Sequence, residues 1–318
     1  MNIRLMQTND IPCAIALWKK QFVQYCHGDS FPPFHNGGEA ALETYLREQI
    51  GCGQAIAAFE NHAIAGYMAW MTFDFHNERT AFLPIVGHAA SLCDEMRIYA
   101  ALYAYTSRVW VRDNCFNHLW MTYYDDETVQ NGLYALGFGS YVVDACQSTS
   151  VNLSDASCAY CIERATAQDA DALLAIADDS RRYYADAPIF LQRSKQNKQD
   201  IEVLLNNAVV LVARDGNAVI GVMSFTLHCD FDTEQLTTTD SAYIGDLGAF
   251  VDSRYRGKGI GKALLTHAFR ICNENGKSHL HVCFESANPF AASFWPRFFK
   301  PAIRSVRRTI NKDANSID

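Results

Sequence analysis

The sequence predicts an α/β fold arranged as two tandem domains, residues 1–150 and 151–318. In the second half, a β-prone strand, a glycine-rich turn and an amphipathic helix follow one another directly, from Tyr243 to Cys272. The first half opens with the same pattern as the second, in which a strand and a polar turn precede an amphipathic helix. The polar, turn-forming segment 148–158 lies between the halves and is the predicted linker.

The internal repeat extends beyond these opening elements. A strand with its helix (3–20 and 161–179) and a later hairpin (54–73 and 208–227) recur in both halves. In the first half, residues 118–138 then read as a strand followed by a helix that ends in Gly-Phe. Both halves are therefore expected to share one topology.

The glycine-rich turn at residues 256–262 has the chemistry of an anion-binding loop. Glycines let the backbone approach a ligand closely, and the start of the next helix adds unpaired amide donors and a positive dipole end. The spacing fits neither a Walker loop nor a dinucleotide fingerprint, because Ala263 follows Gly261-Lys262 and position 256 is arginine. The predicted binding residues are Arg256, Gly257, Lys258, Gly259, Ile260, Gly261 and Lys262.

Arg256, Gly259 and Gly261 occupy the defining places of an Arg/Gln-x-x-Gly-x-Gly/Ala motif. This segment resembles the pyrophosphate loop of the GNAT superfamily of acetyl-CoA-dependent N-acyltransferases. Downstream, Asn288 and Ala291 fit the last helix of such a domain. The resemblance covers residues 159–310 and implies, for each half, a mixed, mostly antiparallel sheet flanked by helices.

The resemblance also implies how a cofactor would bind. In the family, the strand before the loop splays from its parallel neighbour, and the pantetheine of acetyl-CoA pairs with exposed backbone groups. By position, those groups belong to Ala249, Phe250 and Val251, and Asn288 faces the same cleft. Acetyl-CoA is then a co-substrate, and no metal is expected.

The amine is expected to attack the thioester directly, so that a base must remove a proton. Asp246 and Glu285 are the candidate bases, although a carboxylate at either place could equally be a solvated strand-end residue. The family's usual acid, a tyrosine, is replaced by Trp295, which has no ionisable proton. Another group then donates, or CoA leaves as a thiolate. The possible stand-ins are Tyr243, Ser286 and Ser293.

The first half lacks such a loop. Where it should lie, at residues 86–96, only Gly87 is present, and Cβ atoms would occupy the phosphate positions. Tyr134 stands at the general-acid place without a cofactor to act on. The first half is therefore predicted to be a degenerate, non-catalytic domain that shapes the acceptor pocket or a dimer surface.

Two segments are predicted to cover the acceptor site. The first, residues 181–199, corresponds to the variable lid of the family. The second, residues 228–242, is a polar hairpin insertion whose carboxylates could attract an amine or simply be solvated. These carboxylates belong to Asp230, Asp232, Glu234 and Asp240.

Composition limits the kinds of partner and the cellular compartment that are expected for this chain. The net charge of −8 disfavours nucleic acid and suits a cationic acceptor, and the chain has no 18-residue apolar run. Eleven irregularly spaced cysteines and the absence of a signal peptide favour a reducing cytoplasm. Two further motifs are interpreted as ordinary structural residues rather than metal ligands. They are the lone CxxC at 158–161 and the pair His279 and His281.

The sequence thus predicts an N-acetyltransferase that moves an acetyl group from acetyl-CoA to an amine on a small molecule or peptide. A homodimer is compatible with this reading. Two alternatives stay open: a non-catalytic CoA-binding sensor or scaffold, and an acyltransferase that uses another acyl donor.

Overall fold

The computed structural model describes residues 1–28, 31, 36–151, 153, 158–230, 232, 234, 236–245 and 247–315. In the first half the elements are β1 (Asn2–Leu5), α1 (Ile11–Tyr25), α2 (Asn36–Gly51), β2 (Ala55–Glu60), β3 (Ala63–Ala69), β4 (Met71–Phe75), β5 (Glu78–Leu83), β6 (His88–Ala90), α3 (Glu95–Arg112), β7 (Asn117–Tyr123), α4 (Glu127–Ala135) and β8 (Gly139–Ser148).

In the second half they are β9 (Cys161–Arg164), α5 (Ala170–Ala185), α6 (Lys198–Asn207), β10 (Val209–Asp215), β11 (Ala218–Phe225), β12 (Ser241–Ile244), β13 (Ala249–Val251), α7 (Ile260–Glu274), β14 (His279–Glu285), α8 (Pro289–Phe294) and β15 (Lys300–Thr309).

The predicted repeat is confirmed in the opening strand and helix of each half and in the later hairpin. The turn before α5 has a capping box between Thr166 and Asp169, and the turn before α1 has the same arrangement between Gln7 and Asp10. The hairpin of β10 and β11 turns at Gly216, whose φ of +57° glycine adopts without strain. The β-prone segment that starts at Tyr243 and precedes the glycine-rich turn was predicted as one strand but is two, β12 and β13, separated by residues 245–248.

The described strands form three sheets, and the largest contains strands of both halves. Two four-stranded sheets have the orders β1-β2-β3-β6 and β13-β11-β10-β9, one in each half. The third has the order β12-β14-β8-β15-β7-β5-β4. Here β8 of the first half lies between β14 and β15, and β15 of the second half lies between β8 and β7. The halves have thus exchanged their last strands.

The exchange also joins the hydrophobic cores. Val143 and Ala145 of β8 pack in a core formed mainly by α7, β10 and β14 of the second half. Ile303 of β15, which is fully buried, packs in the first-half core with Tyr123. The seven-stranded sheet is therefore complete only when both halves contribute their last strands. In the described part of the chain, no helix is long and apolar enough to cross a lipid bilayer.

Candidate cofactor and acyl-transfer site

A cleft opens in the second half where one strand divides. β12 runs parallel to β14 as far as the pair Ile244 and Val282, and β14 then continues to Glu285. On its other side the strand stays next to β11 throughout, through a bridge between Tyr243 and Thr226 before the break and through β13 beyond it. This divergence is the splay that the family resemblance implies. Asp246, one of the two predicted bases, lies outside the described residues.

Side chain and backbone bonds hold the break open. The Ser224 hydroxyl donates to the Gly245 carbonyl (2.6 Å), and the Gly248 amide donates to the Ser224 oxygen (3.0 Å). Gly248 has a φ of +66°, a conformation that favours glycine. The strand therefore separates from β14 at this break while it remains bonded to β11.

Two of the three predicted strand residues direct backbone groups into the cleft. The Ser224 amide donates to the Gly248 carbonyl, and the Asp252 amide donates to the Ile220 carbonyl. Backbone groups alternate along a strand, so Phe250, which lies midway, also faces β11. The backbone groups of Ala249 and Val251 consequently point the other way, toward the cleft.

The glycine loop leads directly from β13 into α7. Gly257 and Gly259 have φ values of +78° and +81°, and a Cβ at either would meet no described atom within 4 Å. Glycine is required here by backbone conformation rather than by crowding. Gly259 is the N-cap of α7, and among the described residues no side chain caps this helix end. The loop and helix start therefore leave room for an anion such as a pyrophosphate.

The charge of Arg256 lies at the mouth of the cleft rather than over the loop. Its Nε donates to the Val251 carbonyl at 3.0 Å. Its guanidinium carbon lies 4.4 Å from the ring centre of Phe290 and 4.8 Å from that of Tyr183. Cation–π contacts of this kind hold the side chain against aromatic surface.

Glu285, the second predicted base, is engaged in an ion pair. Its Oε1 lies 3.2 Å from a terminal nitrogen of Arg193, which belongs to the predicted lid. The Arg193 guanidinium in turn stacks 3.4 Å above the ring centre of Tyr184. Burial and the nearby Glu285 carboxylate raise the pKa of Tyr184 to about 12. The lid is thus fastened to the end of β14.

Asn288 is buried at the end of β14 and caps α8. Its Oδ1 accepts from the Tyr183 hydroxyl (2.8 Å) and from the Ala291 amide (3.2 Å). Trp295 is 6% exposed and packs edge-on against Phe299 in the second-half core. It is a core residue, which agrees with the expectation that it donates no proton.

Of the three residues that could replace the family's general acid, Tyr243 is the one that lies at the strand break. The Ser286 hydroxyl donates to the Tyr141 carbonyl, and the Ser293 hydroxyl donates to the Phe290 carbonyl. By contrast, the Tyr243 ring packs against Gly245, where a Cβ would lie 2.7 Å from it. The Tyr243 hydroxyl donates a hydrogen bond to the Cys283 sulfur on β14.

Sequence reasoning missed Asp144, which lies opposite Cys283 on β8. The Cys283 thiol donates to its carboxylate, and burial raises the pKa of Asp144 to about 7. Burial also raises the pKa of Cys283, and Asp144 and Glu285 raise it further. An acidic residue in the middle of an apolar strand was the available signal. It lies in the first half, whereas the search for site residues followed the second.

A cavity of about 210 Å³ lies beneath the first lid. Its lining residues are Ala177, Ser180, Arg181, Arg193, Ser194, Gln196 and Leu247. The buried Oε1 of Gln196 has no hydrogen-bond partner among the described residues. Leu247 belongs to the strand break, so the cavity adjoins the cleft. In the other segment predicted to cover the acceptor site, 228–242, burial and the nearby Asp232 raise the pKa of Glu234 to about 7.

The first half has a strand break of the same kind, but it is filled. β5 runs parallel to β7 as far as Leu83, and β6 then pairs with β3. Trp18 and the Tyr67 hydroxyl donate to the carbonyls of Ile85 and Val86 at 2.9 and 2.8 Å. A Cβ at Gly87 would lie 2.3 Å from a carbonyl oxygen. This break is packed closed.

The helix that follows the break in the first half begins with a buried carboxyl side chain. Glu95 begins α3, is 7% exposed, and accepts hydrogen bonds from Gln21 and from the Tyr25 hydroxyl (2.8 Å). Its burial raises the pKa of the carboxyl to about 7. Tyr134 lies on the surface, where its hydroxyl accepts from Arg304 at 2.9 Å.

Within the described ranges, no group of three His, Cys, Asp or Glu side chains could hold a metal ion. His281 instead has its Nε2 3.1 Å from the Ser241 hydroxyl, and burial lowers its pKa to about 3.

Comparison with known proteins finds a family model that matches part of the chain and solved structures with a similar fold. Residues 170–299 match the acetyltransferase (GNAT) family model. A GCN5-related N-acetyltransferase from Sphaerobacter thermophilus is 12% identical, covering 98% of this chain and 96% of its own, with a TM-score of 0.61. A tandem GNAT protein from the clavulanic acid biosynthesis pathway is 13% identical, with 98% of both chains covered and a TM-score of 0.50. Such identities show a shared fold alone. No curated protein matches the chain.

Proposed function

We propose that this tandem GNAT chain, whose residues 170–299 belong to the acetyltransferase (GNAT) family, transfers an acetyl group from acetyl-CoA to an amine. The observation that carries the proposal is the open glycine cradle beside a divided strand in the second half. The first half, whose corresponding break is packed closed, is non-catalytic in this proposal.

The cofactor would lie along β13 and the loop. The amides at the start of α7, with Gly257, Gly259 and Gly261, would hold the pyrophosphate, and Lys258 and Lys262 add positive charge. The backbone groups of Ala249 and Val251 would pair with the pantetheine, and the thioester would then reach the break near Asn288.

The amine would enter from the opposite side, past the lid that contains Arg193. It would attack the thioester carbon, and the CoA sulfur would leave. Glu285 is the proposed proton acceptor at the cleft, and Asp246, which lies outside the described residues, is the other candidate that the sequence predicts. For Glu285 to act, its ion pair with Arg193 would have to open when the acceptor binds. The free thiols of the chain fit a reducing cytoplasm, which is part of the proposal.

A CoA-binding sensor is the second candidate, because Trp295 is a core residue where the family usually has a proton donor. A thiol-release assay distinguishes the two. The full chain is incubated with acetyl-CoA and a panel of polyamines, aminoglycosides, amino acids and peptides, and mass spectrometry identifies any acetylated product. We expect one acceptor class to release CoA. Tight acetyl-CoA binding without turnover on any acceptor would instead support the sensor.

A further inference from the structure

Three polar side chains from three neighbouring strands meet at the strand break. Tyr243 lies on β12, Cys283 on β14 and Asp144 on β8, and Cys283 and Asp144 are direct partners in the antiparallel ladder. The Tyr243 hydroxyl donates to the Cys283 sulfur, and the Cys283 thiol donates to the Asp144 carboxylate. The hydrogen bonds therefore run in one direction across the sheet.

Burial increases along this row. Tyr243 and Cys283 are partly exposed, whereas Asp144 is 7% exposed. Tyr243 also lies at the point where β12 and β14 stop pairing, with its ring against Gly245. One end of the row thus meets the cleft and the other lies in the joint between the halves.

We propose that Tyr243, Cys283 and Asp144 form a proton relay for acyl transfer, in which the first half supplies the final proton acceptor. The inference rests on the proposed function. As the amine nitrogen bonds to the acyl carbon, its proton passes to the Tyr243 oxygen, a route that replaces direct transfer to Glu285 or Asp246. The Tyr243 proton passes to the Cys283 sulfur, and the Cys283 proton passes to the Asp144 carboxylate. The carbon–sulfur bond then breaks, and the CoA thiolate takes a proton from solvent. Asp144 returns its proton to solvent after each turnover.

The surroundings suit Asp144 as the final acceptor. Burial and the nearby carboxylates of Glu234 and Asp232 raise its pKa to about 7, so it changes charge near neutral pH. The neighbouring strand β15 presents the apolar Ile303 opposite Asp144, and Glu285 lies two residues beyond Cys283. A base with a pKa near the working pH is the efficient choice for proton transfer.

The first test measures kcat/KM against pH for the full chain with the acceptor found in the panel. In the wild type, the rate should rise with pH through the pKa of Asp144. Asp144→Asn should abolish that rise and lower the rate by about 100-fold, a usual contribution of general acid–base catalysis. Tyr243→Phe and Cys283→Ala should cause similar losses, whereas Cys283→Ser, which keeps a hydroxyl relay, should retain most of the rate.

Two controls separate chemistry from folding. Calorimetric CoA binding should be unchanged in all four variants, because none lies in the glycine loop. Asp74→Asn makes the same substitution at an exposed position on β4. It should leave both the rate and its pH profile unaltered. Loss of rate in Asp144→Asn with an intact wild-type pH rise would overturn the relay.

The second test needs no acceptor. Iodoacetamide labelling of Cys283 is followed by peptide mass spectrometry between pH 7 and 10. Removing the Asp144 charge should lower the pKa of Cys283 and speed its labelling several-fold at a given pH, since Asp144 is among the groups that raise it. Identical labelling in wild type and Asp144→Asn would overturn the relay. If labelling changes but the wild type transfers no acyl group, the proposed function fails while the hydrogen-bonded row stands.

Discussion

The two halves contain the same divided strand and use it differently. In the first half, Trp18 and Tyr67 bond the carbonyls at the break, and Ile85 and Val86 are fully buried. In the second half, the break leads to a loop where glycines with positive φ leave open space. The division of the strand is therefore a feature of the fold, whereas a cofactor cleft also requires that the space beside it stay unfilled.

The helix that follows each break shows the same contrast. α3 begins with the buried carboxylate of Glu95, which belongs to the protein. α7 begins at a bare glycine N-cap without a side-chain cap in the described structure. A helix dipole favours negative charge near the N-terminus of the helix. In α3 the protein itself supplies an acidic side chain there, and in α7 an anionic ligand could bind. The first half thus has a buried carboxyl side chain at the start of this helix, where the second half has a bare glycine.

The largest expected effect tests whether the second half holds all the affinity for CoA. Gly259→Asp should weaken CoA binding roughly 1,000-fold, because it strains a residue at φ +81° and places a carboxylate beside the phosphates. Gly216→Asp is the matched control, with the same charge at φ +57° in a distant hairpin turn. Calorimetry should give one CoA per wild-type chain. A residual site of full affinity in Gly259→Asp would mean that the first half also binds CoA.

An intermediate effect is expected from the exchanged strand. Ile303→Ala should lower the free energy of unfolding by about 2–5 kcal/mol, the usual cost of truncating a fully buried side chain. Because β15 lies between strands of the first half, hydrogen exchange should accelerate in β7 as well as β14. Ile310→Ala, a partly buried residue just after β15, is the control. Acceleration confined to one half would show that the exchange does not couple them.

The smallest effect concerns the buried carboxyl group of Glu95. Burial raises the pKa of Glu95 from 4.5 to about 7, so the folded state binds its proton more tightly than the unfolded chain. Stability from this group is present at low pH and is lost as pH rises toward 7. Glu95→Gln should therefore gain about 1 kcal/mol relative to wild type between pH 5 and 8. Thermal melts across that range measure it, and a constant difference would contradict the assignment.

The local sequence pattern was sufficient to predict most secondary-structure elements and the glycine loop. The apolar spacing predicted α7 because Leu265, Ala268 and Cys272 must share its buried face, and all three are buried. The glycine positions predicted a backbone that only glycine adopts readily, and Gly257 and Gly259 have it. These features depend on residues close together in the chain.

What the sequence could not predict depends on long-range pairing. The partner of a strand is not encoded by its own alternation, so the insertion of β15 between β7 and β8 left no local signal. Asp144 was missed for this reason, since it reaches the second-half cleft only through that pairing. The position of Arg256 over aromatic rings likewise depends on Phe290, more than thirty residues away.

The strand exchange also sets the order of events during synthesis. β7 and β8 leave the ribosome early, yet the strand that separates them begins only at Lys300. At about 5–20 residues per second, the gap after Ser148 lasts roughly 8 to 30 seconds. Throughout that interval, the nascent first half exposes unpaired strand edges and the apolar face that Ile303 later covers. Translation speed and chaperone contact in this window should therefore govern how much of the protein reaches its native state.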